Sequence, residues 1–129
     1  MPNSPLTGAV LFSKKTGRMA RFYEAVLSMP VVVARHDHVI LESATFQLII
    51  HGIPEHIAQG IDIKSPPTLR EEAPVKMFFN VASIDAARAK AADLGGHVDA
   101  QEQELVARFF KACDGYDPEG NVFQLRQRL

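Results

Sequence analysis

The chain has 129 residues, 47% of them hydrophobic and 22% charged, the size and make-up of one ordinary globular domain with a real core. Fourteen Lys+Arg against fifteen Asp+Glu leave a formal charge of -1, without the cationic excess that a nucleic-acid or anionic membrane surface needs. The single Cys113 allows no internal disulfide, no apolar run reaches a membrane span of about 18 residues, and the start shows no basic segment of a leader, so a cytoplasmic location is expected.

Residues 8–13 read as an apolar strand. A helix follows, because Met19, Phe22, Tyr23, Val26 and Leu27 recur at the i, i+3, i+4, i+7, i+8 spacing of one buried face. Thr16 is its expected N-cap and Pro30 its stop. Three β-rich stretches come next, at 31–34, 38–41 and 45–50. Pro54, Pro66, Pro67 and Pro74 then crowd one short window, which predicts mostly loop over 53–74. Beyond it the order repeats. A strand at 75–81 leads to a helix with Ser83 as cap, Asp85 in its first turn and Ile84, Ala87, Ala91 and Leu94 as its stripe, stopped at Gly95-Gly96. Strands at 97–100, 108–113 and 121–127 follow, the last two joined by Asp117-Pro118-Glu119-Gly120, which carries turn chemistry at each position. Phe46-Gln47-Leu48 recurs as Phe123-Gln124-Leu125. We therefore expect one domain over 1–129, built from similar modules at about 1–52 and 75–129 with the proline-rich linker between. Each helix covers one face of its sheet, and the other face is free to form a concave, partly apolar pocket.

Three segments resemble the vicinal oxygen chelate superfamily of glyoxalases, extradiol dioxygenases and bleomycin-resistance proteins. They are the helix MARFYEAVL at 19–27, the segment VASIDAARAKAADLGG at 81–96, and the turn and final strand DPEGNVFQL at 117–125. The resemblance implies an α+β fold in which tandem βαβββ modules form a cupped, antiparallel-rich sheet with helices on the outer face. It also implies a homodimer, and a cup that holds a ligand or a metal. Metal-dependent members place ligands near the start of each module's first strand and in each module's last strand. Carried over, the last-strand positions fall on Gln47 and Gln124, and the first-strand positions on Gly8 and Lys76. Gly8 has no donor, Lys76 is a cation, and two amide oxygens make a poor transition-metal site. No cofactor is therefore expected.

His51 is expected to leave its strand into the 52–54 turn and line the rim. In a continuous strand it would share a face with Gln47, and Gln47, His51 and Gln124 would form an irregular divalent-metal site. His36 and His38, flanking Asp37, are expected to sit exposed in a turn. Alternation assigns Val10, Phe12, Gln47, Ile49, His51, Lys76, Phe78, Asn80, Val122, Gln124 and Arg126 to the cup. Of these, Phe12, Gln47, Ile49, His51, Lys76, Phe78, Asn80, Gln124 and Arg126 are the candidate ligand-binding residues. Lys76 and Arg126 either reach into the cup, snorkel to its rim or pair with acids. Phe46, Leu48, Ile50, Met77, Phe79, Phe123 and Leu125 would pack under the helices. Cys113 is expected to be an inert strand residue without a basic neighbour. The reading that follows is a metal-independent protein binding a neutral or anionic small molecule. Its alternatives are a metal-dependent lyase, isomerase or dioxygenase of the same superfamily, and an interaction module whose cup is filled by its own side chains.

Overall fold

The computed structural model describes residues 5–129; the first four, where the stretch read for a leader begins, lie outside the described residues. In chain order the elements are β1 (Thr7–Ser13), α1 (Thr16–Leu27), β2 (Val31–Ala34), β3 (His38–Glu42), β4 (Phe46–Gly52), α2 (Glu55–Ala58), β5 (Met77–Asn80), α3 (Ile84–Asp93), β6 (His97–Val98), β7 (Leu105–Val106), β8 (Phe110–Tyr116) and β9 (Val122–Arg128). The first sheet has the order β1-β4-β3-β2 and the second β5-β9-β8-β6, with β7 also pairing β8. In each sheet the module's first strand runs parallel to its last, and the other pairs are antiparallel. This is the expected α+β repeat, and neither sheet closes into a barrel.

The helical stripe of α1 is buried as its period requires: Met19, Phe22, Tyr23 and Val26 are almost wholly enclosed. The helix ends at Ser28, whose φ of 52° is left-handed, two residues ahead of Pro30. Its start departs from expectation. Thr16 is the first helical residue, and no side chain of the cap position bonds to it. The Glu119 carboxylate from the β8–β9 turn accepts instead from the backbone N–H groups of Lys14 at 2.9 Å and Lys15 at 3.0 Å. It also accepts from Ser13 Oγ at 2.7 Å. A carboxylate suits a helix N-terminus better than a hydroxyl does, since it adds charge against the dipole. The second long helix, α3, starts as expected, with Ser83 Oγ accepting from the Ala86 N–H at 3.1 Å.

The same turn docks a second time. Asp117 Oδ2 accepts from Tyr23 Oη at 2.7 Å and from Asn121 Nδ2 at 2.8 Å. Its Oδ1 accepts from the N–H groups of Glu119 and Asn121. Burial pushes the carboxyl of Asp117 up and the Tyr23 hydroxyl well up from their ordinary values. The core is one cluster running from α1 through β4 and β3 to β5, β9 and α3. Rings of Phe22, Tyr23, Phe79 and Phe123 meet at its centre, 5.1–6.4 Å apart, and join the two modules. Among the described residues, no helix is long and apolar enough to cross a membrane.

Candidate functional site

Strand register sets the side chains of the helix-free faces into rows. On the first sheet they run Gly8–Gln47–Glu42, Val10–Ile49–Ile40 and Phe12–His51–His38. On the second they run Phe78–Gln124–Asp114 and Asn80–Arg126–Ala112, with Val122–Tyr116 on the near side. The opposite faces carry Leu48, Ile50, Phe79, Phe123 and Leu125, all buried under the helices as expected. Val10, Phe12 and Phe78 are 52%, 59% and 57% exposed, unusual for apolar strand residues. A cavity of about 910 Å³ lies between β1 and the segment entering β5, lined by Val10, Phe12, Val75, Lys76, Asp114 and Val122 among others.

The two glutamines are held alike. Gln47 Nε2 donates to Glu42 Oε2 at 2.7 Å, and Gln124 Nε2 donates to Asp114 Oδ1 at 3.4 Å. Each amide therefore serves an acid on the adjoining strand. Lys76 Nζ also meets Asp114, at 2.6 Å, so its charge is matched within the chain. Arg126 is different. Its guanidinium lies 3.8 Å from the Phe78 ring centre and 4.5 Å from that of Phe110. Its Nε donates to the neutral Gln124 Oε1 at 2.8 Å. Among the described residues, no acid pairs with Arg126.

Register also relocates one position. Gly8 stands opposite Gln47, and the residue standing opposite Gln124 is Phe78, two beyond Lys76, which precedes β5. A Cβ on Gly8 would fall 2.0 Å from the Gln47 carbonyl oxygen, so β1 approaches β4 too closely there for any side chain. Phe78 has no lone pair to give. The donor set at the superfamily's metal positions is thus a glycine, a phenylalanine and two amides already engaged with carboxylates, which does not fit a transition ion. Among the described residues, no three His, Cys, Asp or Glu side chains are grouped to hold one.

His51 does not leave its strand: β4 continues to Gly52, whose N–H is bonded to Asp37 O at 2.7 Å while Ile53 N–H reaches Ser13 O. It shares a face with Gln47 but lies about 13 Å along the strand from it. Its neighbours are the rings of Phe12, at 5.9 Å, and His38, at 6.1 Å. His38 is a strand residue, half-buried, and only His36 and Asp37 form the turn. Cys113 is buried as expected, its thiol donating to Asp99 O at 3.3 Å and pushed up by burial. Arg88 Nη2, 3.9 Å from its sulfur, is a basic neighbour that spacing did not show. Glu42, Phe110 and Asp114 also join the face without having been anticipated. The expected strand stops at 113, whereas the ladder with β9 carries β8 through Asp114 to Tyr116.

The fold is similar to that of a glyoxalase/bleomycin resistance protein/dioxygenase family enzyme from Burkholderia phytofirmans PsJN, at TM-score 0.68 and 15% identity, covering 98% of this chain and 100% of that one. A glyoxalase/bleomycin resistance protein from Albidiferax ferrireducens T118 superposes at 0.69 with 17% identity, over 96% and 98% of the two chains. The fosfomycin resistance protein FosX from Mesorhizobium loti follows at 0.63 with 16% identity, over 100% and 95%. At such identities the likeness bears on the fold alone. No curated protein matches the chain in sequence. Residues 9–126 match the glyoxalase-like domain family, and with that match and this fold the chain belongs to it, within the vicinal oxygen chelate superfamily that its sequence resembles.

Proposed function

We propose that this protein binds a small organic molecule, anionic or neutral, on the face between its two modules, without a metal at the superfamily's usual positions. One observation carries the reading: both first-strand positions, Gly8 and Phe78, lack a donor, while Arg126, over the Phe78 ring in the second sheet, also meets the Phe110 ring and has no acid partner among the described residues. A cation held against the rings of Phe78 and Phe110 is preorganised for a carboxylate, phosphonate or similar group, and the exposed rings of Phe12 and Phe78 suit an apolar body. Lys76 contributes less than its charge suggests, because Asp114 already neutralises it. A cationic drug fits poorly beside an unpaired guanidinium. The open cavity, lined by Phe12 and Lys76 rather than by Arg126, supports a ligand in preference to a cup filled by its own side chains.

The test is a titration of chelator-treated protein with benzoate and phenylphosphonate as probes and benzylamine as the cationic control. Both anions are expected to bind in the presence of chelator. Arg126→Leu should weaken them about tenfold or more, the loss of one charge-assisted hydrogen bond, and Lys76→Met by less than about threefold. Preference for benzylamine, or binding restored only by a divalent ion and abolished by Gln47→Ala or Gln124→Ala, would overturn the reading.

A further inference from the structure

Two strands each close one side of their sheet and leave an edge open: β1 in the first sheet and β5 in the second. Along a strand, the N–H and C=O of one residue point to the same edge, and successive residues alternate. Ser13 O accepts from Ile53 N–H, and Val81 N–H donates to Arg126 O, which fixes that alternation for both strands. Ala9 and Leu11 of β1 therefore bond inward to β4, as Met77 and Phe79 of β5 do to β9. Val10 and Phe12, and likewise Phe78 and Asn80, turn their backbone groups outward. Among the described residues, none of these outward groups has a partner. Four consecutive residues of β1, Ala9 to Phe12, line the cavity of about 910 Å³, with residues 73–77 on its other side. One face of a strand would contribute every second residue, so a consecutive run marks the strand's edge.

We propose that the open edge of β1 binds an extended peptide segment with apolar side chains, which joins the first sheet as a fifth strand inside this cavity. An exposed row of unpaired N–H and C=O groups is a template for another chain. An extended peptide matches it, because its own groups recur at the same two-residue step of about 6.6–6.8 Å. Main-chain bonds would supply the affinity, and the wall beside the edge the selectivity. That wall is apolar where it is most open: the side chains of Val10, Phe12 and Val75 are all more than half exposed. Its charges balance, Arg70 and Lys76 against Glu71 and Asp114, and Lys76 is already paired with Asp114. A neutral segment is therefore a better match than an acidic or basic one. A second copy of this chain fits less well. The far side of the cavity is closed by residues 73–77, leaving the room of one ligand, whereas each described strand of another copy already carries a sheet neighbour. Arg126 does not line the cavity, so this site and the anion site stand or fall separately.

The probe is a pentapeptide of alternating valine and threonine, acetylated and amidated at its ends so that it carries no charge. Calorimetric titration should show one saturable site. Amide hydrogen exchange read by NMR should slow at Val10 and Phe12 and stay unchanged at Ala9 and Leu11, whose N–H groups are already bonded to β4. The same peptide N-methylated at alternate residues, on the edge meeting β1, should bind about tenfold or more weakly, since it loses its donors there. Val10→Pro should weaken the unmodified peptide to a similar degree while staying folded, because the N–H it removes serves no bond within the sheet. If that variant fails to fold, the exchange pattern and the methylated peptide decide alone. Absence of saturable binding, protection elsewhere than at Val10 and Phe12, or equal affinity for the methylated peptide would overturn the proposal. Binding that emerges only once residues 1–4 are removed would assign the edge to the chain's own start and overturn it too. Failure of the uncharged peptide leaves benzoate binding at Arg126 untouched, and the reverse holds.

Discussion

Gly8 shows how one residue can remove a chemistry. Its missing side chain lets β1 lie against the Gln47 carbonyl, where a Cβ would stand only 2.0 Å from the oxygen. Gly8→Ala is therefore expected to displace β1 and cost about 1–3 kcal/mol, read as a lowered midpoint in urea; an unchanged midpoint would contradict the contact. For the same reason a ligating side chain introduced at this position alone should not rebuild a metal site. The glutamines at the centres of the two rows were legible in the sequence, because the tripeptide echo of 46–48 at 123–125 marks equivalent strand positions. The partners of those residues were not. Asp114 neutralising Lys76, and Phe110 under Arg126, both depend on the register of β8 against β9, which hydrophobic period does not specify.

Among the elements, the two long helices and the start of β6 were readable, whereas β7 and the single turn of α2 were not. A helical stripe repeats over ten or more residues, but β7 has two residues and owes its strand form to pairing with β8, and α2 has four. One ion-pair cluster ties β7 and β8 to α3. Arg88 reaches Asp85, the Asp99 carbonyl and Glu104, and Lys111 meets Glu104 from the other side at 3.2 Å. The hydrogen bond from Arg88 foremost, aided by Lys111, holds the Glu104 carboxyl below its ordinary range. A carboxyl whose folded value is lowered contributes stability that is complete above its unfolded value and is lost as pH falls through the folded one. Glu104→Gln should thus cost about 1 kcal/mol at neutral pH, and the gap to wild type should close on acidification below the usual carboxylate range. A gap that widened with acid would refute this account of the cluster.

For the whole molecule, duplication was visible in the proline-rich window and the repeated order of elements, but the interlock of the two halves was not. It rests on residues about a hundred positions apart: Tyr23 with Asp117, and Ser13, Lys14 and Lys15 with Glu119. The aromatic centre has the same reach, since Phe79 meets Tyr23 and Phe46 of the first module and Phe123 of its own. Phe79→Ala should cost about 3–5 kcal/mol and speed hydrogen exchange equally in β4 and β9, because both belong to one cooperative core. Full protection of β4 in that variant would mean that the halves unfold separately. The carboxylate over the first helix has a further consequence for how the protein is made. A ribosome adding about 5–20 residues per second takes roughly 5–20 seconds to travel from Lys14 to Glu119. For that interval the backbone amides of Lys14 and Lys15, at the entry to α1, have only water in place of that carboxylate. Vectorial synthesis therefore leaves the early half unfinished until the late half supplies its cap, and the two mature together.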